Sequence, residues 1–155
     1  MEGVRLAGHD DLADLARLVG EAVAELTPQR GGEMWARTIG RHAPYEPELR
    51  AALDDPDVVV LAGTVGDALV GYAVARLAPI EGGDTIVVID DLFTEPGARS
   101  VGVGEAMLAV IVEWGTDRGA VGIDAVVLPG ARETKNFFES FGLKARALVV
   151  HRDLP

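Results

Sequence analysis

The 155-residue chain contains no cysteine. That absence removes disulfide scaffolds, thiolate metal sites and a cysteine nucleophile together, and no metal is expected. Basic charge is also scarce, with 14 lysines and arginines against 25 aspartates and glutamates and a net charge of −11 at pH 7. A nucleic-acid binder presents a basic face, and a protein of anionic membrane surfaces carries basic clusters, so neither partner is expected. No apolar run approaches the ~18 residues of a membrane span. The amino-terminal stretch MEGVRLAGHDD lacks the basic-then-apolar order of a secretion signal, which reads as a cytoplasmic protein. There is no internal repeat, low-complexity tract or linker, and the length suits one domain over residues 1–155.

Hydrophobic spacing organises what is present. Val4–Gly8 reads as a first strand. Leu12, Leu15, Leu18, Val19, Ala22, Val23 and Leu26 then recur at three- and four-residue intervals, an amphipathic helix stopped by Pro28. From Thr27 to Leu53 glycines and prolines break the pattern into one or two short helices. Strands are expected at 58–65 and 68–80, joined by Gly66-Asp67 as a hairpin turn, and again from Asp84 to Phe93. A helix from Glu105 to Arg118 follows, then a strand over 122–129, a helix over 131–142 and a last strand over 144–154. A meander of strands followed by βαβ-type units implies an α/β fold, a mixed sheet with helices on both faces.

The chemistry concentrates in the stretch DDLFTEPGARSVGVGEAM, from Asp90 to Met107. Glycines between a strand and a helix leave backbone N–H groups open to a phosphate, and Arg99 adds a fixed positive charge. A plain strand–helix turn is the alternative reading. The dinucleotide fingerprint fails because no third glycine follows Gly104, and the nucleoside-triphosphate loop fails for want of its lysine.

Leu92-x-Thr94-x-Pro96-x-x-Arg99-x-x-Gly102-x-Gly104 closely resembles the acyl-CoA-binding motif of the GNAT superfamily of N-acetyltransferases, R/Q-x-x-G-x-G/A preceded by L-x-V-x-P. Val127-x-Pro129-Gly130 and Phe137-Phe138-Glu139-x-x-Gly142-Leu143 resemble a second block of that family. The resemblance implies a central mixed sheet of about six to seven strands flanked by helices. It implies acetyl-CoA as co-substrate and transfer of the acetyl group to a primary amine of a small molecule or peptide, by direct attack in a ternary complex. A non-catalytic acyl-CoA sensor of the same fold is the second reading.

Carried over by motif position, the backbones of Leu92, Phe93 and Thr94 would hydrogen-bond the pantetheine arm. Arg99, Ser100, Val101, Gly102, Val103 and Gly104 would hold the pyrophosphate, with Thr134 and Phe138 facing CoA from the last helix. An alkylamine has a pKa near ~10.4, so roughly one molecule in a thousand is a neutral nucleophile at pH 7. A carboxylate near the attack site can take its proton, directly or through water, and Asp90 and Asp91 are the candidates, Asp90 first. The competing reading is that one or both are solvated strand-end carboxylates. Strand alternation would send them to opposite faces.

Phe138 stands where the family often has a tyrosine that protonates the leaving thiolate. Tyr45, Tyr72, His42 and His151 are the other candidates for that acid, and for each a packing or surface role is the competing reading. If the segment before Leu53 walls the acceptor pocket, Arg30, Trp35, Arg37, Arg41 and Tyr45 would touch the acceptor, a mixture suited to an anion beside its amine. The arginines could equally pair with the acidic surface. One strand follows the last helix where the family has two, so either a strand is shortened or a partner chain, as in a homodimer, completes the site.

Overall fold

A computed structural model describes residues 1–155. Five strands form one sheet in the order β1-β2-β3-β4-β5. They are β1 (Glu2–Leu6), β2 (Val58–Val65), β3 (Ala68–Pro79), β4 (Thr85–Thr94) and β5 (Ile123–Ala125). The first four are antiparallel neighbours, and β5 runs parallel to β4. Between β1 and β2 lie α1 (Leu12–Leu26), α2 (Gly32–Thr38) and α3 (Glu46–Asp54). After β4 a 3-10 turn over Pro96–Val101 leads into α4 (Val103–Asp117), and α5 (Arg132–Ser140) follows β5.

The central strands read as continuous apolar runs because both of their faces are covered. Val60, Ala62, Tyr72 and Val74 pack against the α1 stripe of Leu12, Leu15, Leu18, Val19 and Ala22 and against Leu49 of α3. On the opposite face Val59, Leu61, Ala73, Ala75, Val87 and Ile89 meet Val103, Met107, Leu108 and Ile111 of α4, with Phe138 of α5 closing the cluster. Asp11 fastens the entry to α1: it accepts hydrogen bonds from Arg5 at 2.8 Å and from the Gly8 amide at 2.8 Å. The bond from Arg5 holds the Asp11 carboxyl below the usual carboxylate range.

The sheet is smaller than the expected six to seven strands. β5 keeps only three paired residues of the expected 122–129, and residues 144–154 form no strand at all. A β-prone sequence becomes a strand only when another strand offers it hydrogen bonds, and this segment makes no backbone hydrogen bond to a neighbouring strand.

Gly63 sets how closely α4 approaches the sheet. A Cβ added there would stand 2.5 Å from Cγ1 of Val103 and 3.1 Å from Sδ of Met107. Val103 is fully buried and β-branched, so it cannot turn aside freely. Gly63→Ala is expected to destabilise the protein by about 1–3 kcal/mol in urea unfolding. Gly97→Ala, whose Cβ would meet nothing within 4 Å, serves as the control and should be nearly neutral.

Candidate active site

β4 and β5 pair only at Val87–Ile89 and Ile123–Ala125. Beyond Ile89 the two chains part. Asp90 to Thr94 keeps β3 on one side, and Ala125 to Leu128 forms the wall across the gap. The opening is a cleft of about 1170 Å3 that also reaches α1, the end of α2, Gly104 and Glu105 of α4, and α5. An unpaired strand edge presents alternate N–H and C=O groups, so the β4 edge offers a row of amide partners to an extended ligand.

One end of the cleft is the start of α4. Gly102 caps it at φ 88°, a left-handed conformation that glycine adopts without strain. No side chain caps this helix, so its first amides are unclaimed by the protein and suit an anion. Gly104 lines the cleft, whereas the Val103 side chain is wholly committed to the core and has only its backbone to offer. Ser100 and Val101 lie in the exposed 3-10 turn. Arg99 turns away from the glycines. Its Nε donates to the Thr94 carbonyl at 2.8 Å, its Nη2 donates to Glu25 at 2.7 Å, and its guanidinium lies 5.6 Å from the Phe93 ring centre.

The other end holds the acidic pair, and here a bulge changes the geometry. Ile89 pairs with Ala75 and Asp91 with Val74, leaving Asp90 as an extra residue without a partner opposite. The expectation that the two carboxylates face opposite sides of the sheet therefore fails, because alternation stops at the bulge. Both line the same cleft.

Their bonds nevertheless divide them. Asp91 receives Nε and Nη2 of Arg41, the shorter at 2.7 Å, and the Tyr72 hydroxyl, also at 2.7 Å. Its side chain is only 11% exposed and that of Arg41 16%. Burial raises the Tyr72 phenol well above its ordinary range and the Asp91 charge adds to this, so Tyr72 stays protonated as a donor. Burial works against the Arg41 charge, but the bonds to Asp91 outweigh it and the guanidinium is held firmly protonated.

Asp90 has a single protein partner, Arg76 Nε at 3.0 Å, and its side chain is 31% exposed. Partial burial pushes its carboxyl above the ordinary range; Arg76 opposes the shift and the neighbouring Asp91 charge adds to it. It is a carboxylate with open lone pairs and a raised proton affinity, which is what a general base needs.

Trp35, Arg41, Leu92, Phe93, Thr94, Thr134 and Phe138 all line the cleft, as do Tyr72 and His42. Every nitrogen of Arg41 is already engaged by a carboxylate, Nη1 donating to Glu48 at 3.1 Å, so its charge is committed within the protein. Arg37 and Arg30 lie outside the cleft lining, and Tyr45 faces a separate recess with Pro47 and Arg50. His151 stands exposed beside Asp153. Sequence reasoning missed Arg76, Glu25 and Glu48, whose partners lie 14, 74 and 7 residues away with no motif to link them.

Asp91→Asn would leave the Arg41 guanidinium little-exposed and short of its main counter-charge. A loss on the order of 2–4 kcal/mol in stability is expected, below that of a fully buried pair because Glu48 remains. Asp90→Asn should cost less than about 1 kcal/mol, its pair being more exposed. Denaturant unfolding of the two variants checks the contrast.

No curated protein matches the sequence. Among solved structures, BH1408 protein from Bacillus halodurans superposes with TM-score 0.82 at 20% identity, over 98% of this chain and 99% of that one. A transcriptional regulator from Bacillus halodurans C-125 gives TM-score 0.76 at 18% identity, over 99% and 100%. AAC(6')-Iy, in complex with the bisubstrate analogue CoA-S-monomethyl-acetylneamine, gives 0.73 at 17% identity, over 100% and 99%. At these identities the likeness speaks for the fold. The sequence profile of the acetyltransferase (GNAT) family matches residues 23–143, well over half of the sequence, and the chain belongs to that family.

Proposed function

We propose that the protein is an N-acetyltransferase that moves the acetyl group of acetyl-CoA to a primary amine within a ternary complex. One observation carries the proposal: a single cleft between parted strands holds an uncapped helix start at one end and a lightly bonded carboxylate, Asp90, at the other. The pyrophosphate of CoA would sit on the first amides of α4, with the pantetheine extended along the β4 edge at Leu92–Thr94. An amide of that edge facing the thioester oxygen would stabilise the charge that develops there.

In this reading the amine nitrogen attacks the thioester carbonyl carbon. Its proton passes to Asp90, directly or through a water, and the carbon–sulfur bond breaks to release CoA as thiolate. The thiolate leaves without a strong acid because a thiol pKa lies near ~8.5, which fits a buried phenylalanine at position 138. Asp91 holds Arg41 and Tyr72 and thereby fixes the wall beside the base. Arg41, Arg76 and Arg99 each already face a carboxylate, so none of these three is free to hold an anion beside the amine. The aminoglycoside acetyltransferase from an uncultured soil metagenomic sample, a solved structure of the same fold, supports a small-molecule acceptor. Phe138 also favours a second reading, a non-catalytic acyl-CoA-binding module, because it lacks a hydroxyl.

A free-CoA release assay over a panel of amines separates the two, since a module binds and never turns over. For the enzyme, the acid limb of kcat/KM against pH reports the ionisation of the base. Because Asp90 is raised, that limb should lie above the ~3.9 of a free aspartate. Asp90 must lose its proton to act, so activity falls as pH drops through the raised value. Arg76 lowers this pKa, so Arg76→Gln should move the limb to higher pH. Asp90→Asn should abolish the limb and lower turnover by about 10²–10⁴-fold. An unchanged profile in both variants rules out Asp90 as the base.

A further inference from the structure

Beside the acidic pair the cleft has an apolar stretch of lining. Ile39 and Val126 line it at 56% and 62% exposure, and Trp35, Val88 and Leu128 line it half-buried. The strand register brings this stretch to the base. Ile89 and Ala125 are the last pair of the β4–β5 ladder, so Asp90 and Val126 are the first residues past it on either side. Trp35 reaches the same wall from α2. Its amide donates to the Gly31 carbonyl at 3.0 Å, and a Cβ built on Gly31 would lie 3.6 Å from Cδ of Pro129 and 3.8 Å from Cδ2 of Leu128. A Cβ on buried Gly40 would stand 3.1 Å from Cζ3 of Trp35, so the indole lies against the backbone that follows α2. Ile39, one turn beyond Trp35, precedes by two residues the Arg41 that Asp91 fixes to β4.

The polar side chains around this stretch are engaged within the protein. Thr38 donates to the Met34 carbonyl at 2.7 Å, and a His42 ring nitrogen bonds the Ala36 carbonyl at 2.8 Å. Glu48 and Asp91 share Arg41. That leaves one acidic group, Asp90, at the parting of the strands to meet the reacting amine. A second ammonium lodged among Trp35, Ile39 and Val126 would lose water with no counter-charge beside it. A hydrocarbon chain or ring in the same place removes apolar surface from water on both sides of the contact.

From these observations we infer that the acceptor carries its amine on an apolar body with no second charge, an alkylamine or arylalkylamine, and that Trp35, Ile39 and Val126 select it. The inference rests on the acetyl-transfer reading for the nitrogen that reacts and for Asp90 as the group that takes its proton. The apolar body lies between the indole and the Val126–Leu128 wall, with the amine directed to the parting of the strands. Ile39 and Val126, both more than half exposed in the empty cleft, gain cover in that complex. The same lining disfavours a linear polyamine or any acceptor with several ammonium groups, because only one of them finds a carboxylate.

Acetyl transfer to propylamine, hexylamine and hexamethylenediamine tests it. From propylamine to hexylamine kcat/KM should rise about twofold to fourfold per added methylene. Hexamethylenediamine has the same carbon chain with a charge at its far end, and should fall at least about tenfold below hexylamine. Val126→Asp puts a counter-charge at an exposed position and should narrow that gap or reverse it. Trp35→Ala should flatten the dependence on chain length. Binding is read separately from turnover. In a Trp114→Phe background Trp35 is the only tryptophan, and hexylamine should shift its fluorescence in the CoA-bound protein. A shift without turnover supports the inference and counts against acetyl transfer. Turnover that ignores chain length or favours the diamine overturns the inference and leaves acetyl transfer standing. Neither shift nor turnover with hexylamine overturns the inference as well.

Discussion

Three residues of parallel pairing hold β5 to β4, and the chemical features of the protein depend on that pairing stopping where it does. Had the ladder continued, Leu92–Thr94 would be closed off by a neighbouring strand and the sheet would have no opening. Instead the bulge at Asp90 re-aims β4, and Pro129-Gly130 turns the other chain toward α5. The gap places the start of α4 and the acidic pair along one cleft. Gly63 lets α4 lie close enough to the sheet for its first turn to border that cleft.

The same bulge resolves the roles of two adjacent carboxylates. It brings both into the cleft, and the surroundings then separate them. Asp91 is saturated by a guanidinium and a phenol and braces the wall between β3 and the α2–α3 connection. Asp90, one residue earlier, has a single arginine and open solvent. Neighbouring groups of one residue type can take opposite tasks when one is charge-paired and the other partly desolvated.

Much of this was legible in the sequence, for reasons that are local. The α1 stripe, the Gly66-Asp67 hairpin and the glycine turn before α4 are set by spacing and by backbone freedom over a few residues, and they appear where expected. What escaped is non-local. Nothing near Asp90 signals a bulge, since it depends on how β4 meets β3, and alternation gave the wrong face. Arg41 pairs with a carboxylate 50 residues away, and Arg99 turns back to a helix 74 residues earlier. The strand expected over 144–154 has the right residues for a strand, but strand formation depends on a neighbour that sequence alone does not provide.

The central claim is that one cleft takes an acyl-CoA, with the pyrophosphate on α4 and the pantetheine on β4. Amide hydrogen exchange with and without CoA measures this directly. The account predicts slowed exchange at Leu92–Thr94 and at Gly102–Glu105, with the rest of the sheet unaffected. Gly102→Val, which forces a branched residue to φ 88°, should remove the protection at the helix start. Protection confined to other segments, or none at saturating CoA, would contradict the account.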